Sequence, residues 1–215
     1  MSRPIKLLYF FTVEGPSEKR YLEHLQKIIN QRLTDLSVEF KIWIDKSARA
    51  CFNNRRLTID TYAHFWDREE ENKQIEFQDV LNNINNNAIA DNIFYCYSNL
   101  SFELWLILHK EEYTAPVSNK NVYTNKIRTL YDINVRSHTD VTKEKNFSRL
   151  LAQISLNDVL MAIRRADRLR QSKQNVCSPF EFYASSGKIV YYPSNPDTLV
   201  QEVVKKILQD CHLLQ

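Results

Sequence analysis

The chain has 215 residues, 43% of them hydrophobic, 12% aromatic and 26% charged, with a formal net charge of +3. That is enough apolar material for one ordinary domain, or a domain with a sizeable appendage, and it excludes a disordered chain. The small net charge gives no global argument for a nucleic-acid partner, and apolar runs such as LLYFFTV and FELWLILH are too short to span a bilayer.

In chain order, Ile5–Val13 (IKLLYFFTV) is apolar throughout and aromatic-rich, the pattern of a strand buried on both faces. Pro16–Arg32 carries apolar residues at Tyr21, Leu22, Leu25, Ile28 and Ile29, which is helical spacing, and Pro16 suits a first turn. Val38–Ile44 alternates and reads as a second strand; Cys51–Asp60 admits a short helix. Thr61–Trp66 reads as a third strand and runs into the acidic cluster Asp67-Arg68-Glu69-Glu70-Glu71. A helix is predicted over Gln74–Asn85, fraying into the asparagine-rich stretch Asn82–Asn87. Asn92–Tyr97 is a fourth strand, followed by Ser98-Asn99 and a helical run over Ser101–His109.

This alternation argues for an α/β layered, mostly parallel sheet with flanking helices. Beyond it the pattern changes. Asn119–Tyr131, Asn146–Gln171 and Thr198–Leu213 are helical, few strands are evident, and linkers are expected near Ala115–Asn119 and Asn175–Pro196. The chain is therefore read as an α/β core over residues 1–113 and a mainly helical part over 114–215 packed on it.

Ligands of open parallel sheets bind beyond the carboxyl ends of the strands. Three predicted strands deliver polar residues there: Glu14-Gly15, then Asp67 with Glu69 and Glu70, then Ser98-Asn99 with Glu103 one turn into a helix. Carboxylates converging from separate strands are oxygen ligands for Mg²⁺ or Mn²⁺, ions that suit phosphodiester chemistry. Each has a simpler reading as well: Glu14 and Glu103 as helix-start acids, the acidic cluster as a solvated loop. Gly15, one of 2 glycines in the chain, reads as a turn residue whose conformational freedom lets the chain leave the strand. So few glycines exclude a glycine-rich phosphate loop. The four cysteines form no CxxC pair and fit free thiols in a cytoplasmic setting, and the N-terminus has no signal-peptide layout. His109, beside Trp105 and Leu106, reads as structural. In Ala162–Gln174 the cations Arg164, Arg165, Arg168, Arg170 and Lys173 face only Asp167; they make either a solvated helix face or a phosphate-contacting one.

Three segments resemble one family. EGPSEKRYLEHL, from Glu14, resembles the EGxTExxYxxxL motif of RloB-like proteins. YCYSNLSFELWLILH resembles that family's SNPxFExWLxxH signature, matching at Ser98, Asn99, Phe102, Glu103, Trp105, Leu106 and His109. YYPSNPDTLVQEVVKKIL is similar to its closing segment. The resemblance implies a Toprim-like fold with a Mg²⁺- or Mn²⁺-dependent nuclease site, acting on RNA (tRNA among the options) or DNA. It further implies a role as effector of antiphage abortive infection beside an ABC- or AAA-type ATPase, with a homodimer as a further expectation. By the same resemblance Glu14 is the Toprim glutamate, Asp67 the first acid of a DxD pair, and Glu18 the second glutamate of the opening motif. Position 69 departs, giving Asp67-Arg68-Glu69 in place of DxD, with Glu70 as a substitute ligand. Lys143 and Lys145 fall where the family carries a lysine, as phosphate contacts alongside Arg164, Arg165 and Arg168. Two other readings stay open: a non-catalytic nucleic-acid-binding or regulatory subunit with a degenerate site, and a nucleotidyl-transfer enzyme using the same carboxylates.

Overall fold

The computed structural model describes residues 5–46, 61–68, 93–174, 176–184 and 187–214. The stretch Cys51–Asp60, which admits a short helix, the helix predicted over Gln74–Asn85, and the acids Glu69 and Glu70 lie outside these residues. The elements are β1 (Ile5–Val13), α1 (Pro16–Asn30), β2 (Leu36–Ile44), β3 (Thr61–Asp67), β4 (Ile93–Asn99), α2 (Glu103–Leu108) and α3 (Lys120–Leu130). They continue with α4 (His138–Thr142), α5 (Glu144–Leu151), α6 (Leu156–Gln174), β5 (Phe180–Ala184), β6 (Gly187–Tyr191), β7 (Asp197–Thr198) and α7 (Val200–Asp210).

A 5-stranded sheet runs in the order β2-β1-β3-β4-β7. Its first four strands are parallel, and β7 joins antiparallel through Ser98↔Thr198 and Asn99↔Asp197. β1 lies between β2 and β3, and its inner half is buried on both faces, with Tyr9, Phe10, Phe11 and Val13 all at 0% exposure. That explains an apolar run without alternation. β2, at the edge, alternates, burying Val38 and Phe40. In α1, Tyr21, Leu22, Leu25 and Ile29 form the buried face. α2 is the centre of the molecule: Leu104 to Leu108 are all fully buried, so the helix is apolar all round instead of amphipathic. α3 and α6 pack against it, and α7 lays Val200, Val203, Val204, Ile207 and Leu208 under β4. The sheet with its flanking helices is Toprim-like, and the region from α2 through α6 is largely helical. Among the described residues, no helix is long and apolar enough to cross a membrane.

Two expectations change. The predicted helical stretch Asn146–Gln171 is two helices, broken before Leu156 by a capping box. There the Ser155 amide donates to Asp158 Oδ2 at 2.8 Å, and the Asp158 amide donates back to Ser155 Oγ at 3.3 Å. The predicted linker Asn175–Pro196 instead carries the β5–β6 hairpin, and β7 follows it. The hairpin strands are short, and Phe180 stacks on Tyr191 across them.

The segment after the hairpin, Tyr192 to Asp197, is pinned by a buried ionic knot. Asp197 is fully buried; Arg170 Nη1 donates to both its carboxylate oxygens at 2.9 Å, and the Tyr97 hydroxyl also donates to it. Arg170 Nη2 donates to the Val190 carbonyl at 2.7 Å, and Lys173 Nζ donates to Ser194 Oγ at 3.1 Å. Arg68 and Asn99 both donate to the Pro193 carbonyl, and Asn195 exchanges hydrogen bonds with the Val117 backbone. A C-terminal segment is thereby tied to the ends of β3 and β4.

Candidate functional site

The strand order places a topological switch between β1 and β3: α1 leads from β1 out to β2, while β3 and β4 extend the sheet the other way. Glu14 leaves β1 at this point, Glu18 follows one turn into α1, and Asp67 ends β3 in register with Ser98 of β4. Glu103 opens α2. Four carboxylates thus come from four different elements to one edge.

Their environment is unfavourable to charge. Glu18 and Glu103 are 6% and 2% exposed, and each has one carboxylate oxygen, Oε2, buried with no hydrogen-bond partner. Burial pushes the Glu18 carboxyl up to about 7, with backbone amides of Glu18 and Gly15 opposing and the charges of Glu103 and Glu14 adding to the rise. Asp67 is held well above the ordinary carboxylate range, first by burial and then by Glu18, Glu103 and Glu14. Lys120, the first residue of α3 after its Asn119 cap, partly offsets this from 4.0 Å. Like charges forced together in a desolvated place make a candidate functional site. Among the described residues, no three His, Cys, Asp or Glu side chains are already gathered in metal-coordinating geometry. The carboxylate oxygens of this edge are of the kind a hard divalent cation takes, and two of them, Oε2 of Glu18 and of Glu103, have no hydrogen-bond partner.

Gly15 corrects one expectation. Its φ of −152° and ψ of −177° are extended and open to any residue, so no left-handed turn requires it. What it supplies is room, since a Cβ there would stand 3.3 Å from Glu18 Oε2. Gly15→Ala is therefore expected to change stability by no more than about 1 kcal/mol in urea titration, the chain-entropy gain offsetting a small displacement of the Glu18 carboxylate.

The other signature residues hold the frame. Ser98 Oγ lies 3.3 Å from Thr198 Oγ1, and the Asn99 carbonyl accepts from the Tyr123 hydroxyl at 3.1 Å. His109 contacts the Trp105 carbonyl through Nδ1 at 2.8 Å and the Tyr21 hydroxyl through Nε2 at 3.2 Å. Burial pulls it down to about 4, so it is a neutral structural histidine.

The basic residues divide. Arg164 is exposed; Arg165 donates to the Leu108 carbonyl at 2.8 Å; Arg168 pairs with Glu112; and Arg170 is committed to Asp197. Lys143 and Lys145 are exposed at the junction of α4 and α5, with Lys143 Nζ 2.6 Å from Asp140. Two residues at the edge escaped sequence reasoning: Lys120 and His138, whose Nδ1 lies 3.3 Å from Glu103 Oε1. Both sit directly after helix-cap residues, Asn119 and Ser137, and those caps were the available signal.

Compared with known families, residues 9–207 match the model described as RloB-like protein. No curated protein and no solved structure matches the chain.

Proposed function

Since the chain belongs to the RloB-like protein family, whose model spans residues 9–207, we propose that its sheet edge is the active site of a metal-dependent nuclease. The observation that carries this reading is the set of buried, mutually repelling carboxylates at the switch point, with orphaned oxygens on Glu18 and Glu103. Mg²⁺ or Mn²⁺ would be held by Glu14 and Asp67, with Glu69 and Glu70 following Asp67 in sequence. When bound, such an ion supplies activation of water and neutralisation of phosphodiester charge.

The chain's own residues do the rest. The knot around Asp197 fixes Arg68, and with it the backbone beside Asp67, through the Pro193 carbonyl. Lys120 offers a cation next to Asp67 for a phosphate oxygen. Among the described residues, exposed Arg164 and Lys145, with Lys143 beside Asp140, are candidate contacts for the rest of a nucleic acid, tRNA or DNA. By its family the protein would serve as the effector of an antiphage abortive-infection system with an ABC- or AAA-type ATPase.

One feature favours a second reading, a nucleic-acid-binding or regulatory subunit: Glu69 stands where the DxD pair has an aspartate. The two are separated by incubating the protein with plasmid and bulk tRNA, with and without Mn²⁺, beside Glu14→Ala. Metal-dependent cleavage that falls about 100-fold or more in the variant is expected. Wild type and variant both inert, even with the partner ATPase, would overturn the enzyme.

A further inference from the structure

Trp43 and Ile44 end β2, and the fold leaves them 49% and 55% exposed. The other two of the 3 tryptophans, Trp66 and Trp105, are only 4% and 0% exposed. A single apolar side chain at the surface is ordinary, but an indole and an isoleucine together at a strand end form a patch. Phe10 packs against the indole with ring centroids 5.4 Å apart, and Tyr62 packs on Phe10 at 5.6 Å from the next strand. The indole is therefore braced from the sheet and open on its outer side.

The register places this patch beside the carboxylate edge. Trp43 pairs with Thr12 and Ile44 with Val13, so the indole lies one strand over and two residues back from Glu14. The Asp45 amide donates to the Val13 carbonyl at 2.9 Å, which holds the two strand ends together as far as the exit of β1. Cations flank the indole: Lys41, two residues before it on the same face of the strand, and Lys46, three residues after it, are both exposed. Lys41 and Lys6 share the single carboxylate of Glu39, which leaves that side of the patch net positive. A strand from another protein chain is a poor occupant, because α1 already engages the backbone of β2. The Val38 amide donates to Asn30 Oδ1 at 2.8 Å, the Val38 carbonyl accepts from Asn30 Nδ2 at 2.9 Å, and the Phe40 amide donates to Gln26.

We infer that Trp43 is a stacking platform for an unpaired nucleobase of the strand that approaches the carboxylate edge, with Lys41 and Lys46 as contacts for its phosphates. This rests on the nuclease reading above for its partner and adds the substrate class: a single strand or an unpaired loop of RNA or DNA. A base inside a duplex has both faces covered by its neighbours and offers none to an indole, whereas an unpaired base stacks on an aromatic ring whatever its identity. Interleaved cations and an aromatic platform are the two parts such a surface needs.

The test is run first without metal, so that binding is measured apart from cleavage. Labelled single-stranded RNA and DNA of one sequence, and the DNA duplex, are titrated with wild type, Trp43→Phe and Trp43→Ala. Trp43→Ala is expected to weaken single-strand binding about tenfold and Trp43→Phe by less than about threefold, with duplex binding changed by less than about twofold. The dependence of affinity on salt should stay as in wild type, since no charge is removed. Tryptophan fluorescence should be quenched by the single strand in wild type and not in Trp43→Phe, because Trp66 and Trp105 are buried. The strand that shows this dependence, RNA or DNA, identifies the sugar. Melting temperatures confirm that both variants fold. Wild type that binds no single strand, a Trp43→Ala protein that binds it as tightly as wild type, or an equal loss on the duplex overturns the platform. So does emission that shifts with protein concentration alone while the mass doubles, which places a second copy on the patch. Mn²⁺-dependent cleavage by wild type and Glu14→Ala reads the nuclease separately. Stacking without cleavage removes the enzyme and keeps the platform; cleavage lost in Glu14→Ala but indifferent to Trp43, with single-strand affinity equally indifferent, keeps the enzyme and removes the platform.

Discussion

Asp67→Asn is expected to raise the melting temperature of the metal-free protein above pH 7 and to abolish its stabilisation by Mn²⁺. A carboxylate whose folded pKa is raised contributes stability that is fully present below its unfolded pKa and is lost as pH rises through the folded one. For Glu18 that window runs from 4.5 to about 7. At 1.36 kcal/mol per pKa unit the loss across it is on the order of 3 kcal/mol. Asp67 is raised by the same burial and the same neighbours, so it too opposes folding when ionised. An asparagine of nearly the same shape cannot carry that charge.

Metal acts in the opposite direction. A cation held between ionised carboxylates relieves their repulsion, and protons compete with it, so stabilisation by Mn²⁺ should be greater at pH 8 than at pH 6. At about 100 times the dissociation constant the gain is about 2.7 kcal/mol. For a domain of this size that corresponds to roughly 5–10 °C in melting temperature. Differential scanning fluorimetry of wild type and Asp67→Asn across pH, with and without Mn²⁺, measures all of this. An Asp67→Asn protein that melts like wild type at pH 8 and still responds to Mn²⁺ would contradict it.

The second large effect lies in the knot beneath the site. Arg170→Met is expected to cost about 3–5 kcal/mol in urea titration, because it leaves Asp197 buried with its main counter-charge gone. Asp197 is completely buried, and burial already holds its pKa up against the pull of Arg170. The same guanidinium satisfies the Val190 carbonyl, so the hairpin loosens as well. Pairing Arg170→Met with Asp197→Leu should recover part of the loss, since the pair replaced together leaves no orphan charge. A single variant that loses less than about 1 kcal/mol would mean that the knot is solvated and the closing loop is held by other contacts.

The knot also shows what local pattern could and could not carry. The α6 cations looked like one basic face in sequence. Yet Arg170 and Lys173 continue the buried series Ile163, Ala166 at spacings of three and four, and both are inward. Periodicity held that distinction; of their partners, Ser194 lies in the stretch that reads as linker and Asp197 directly follows it. The sheet was legible because β1 is apolar without a break, α1 keeps a clean helical period, and acids stand at the strand exits. Glu14, Asp67 and Glu103 could be singled out for that reason, and Glu18 only through the resemblance of the opening motif. Lys120 and His138 could not, because each meets its carboxylate only through the packing of α3 and α4 on the core. Gly15 was legible as special but for the wrong cause, since its need is space beside Glu18 and not a left-handed backbone.

The most direct measurement is a crystal soaked in Mn²⁺, with the ion located by its anomalous signal. One peak within about 2.4 Å of carboxylate oxygens from both Glu14 and Asp67 is the expected result. Saturating Mn²⁺ in crystals of cleavage-competent protein, with no ion shared by those two side chains, would contradict it.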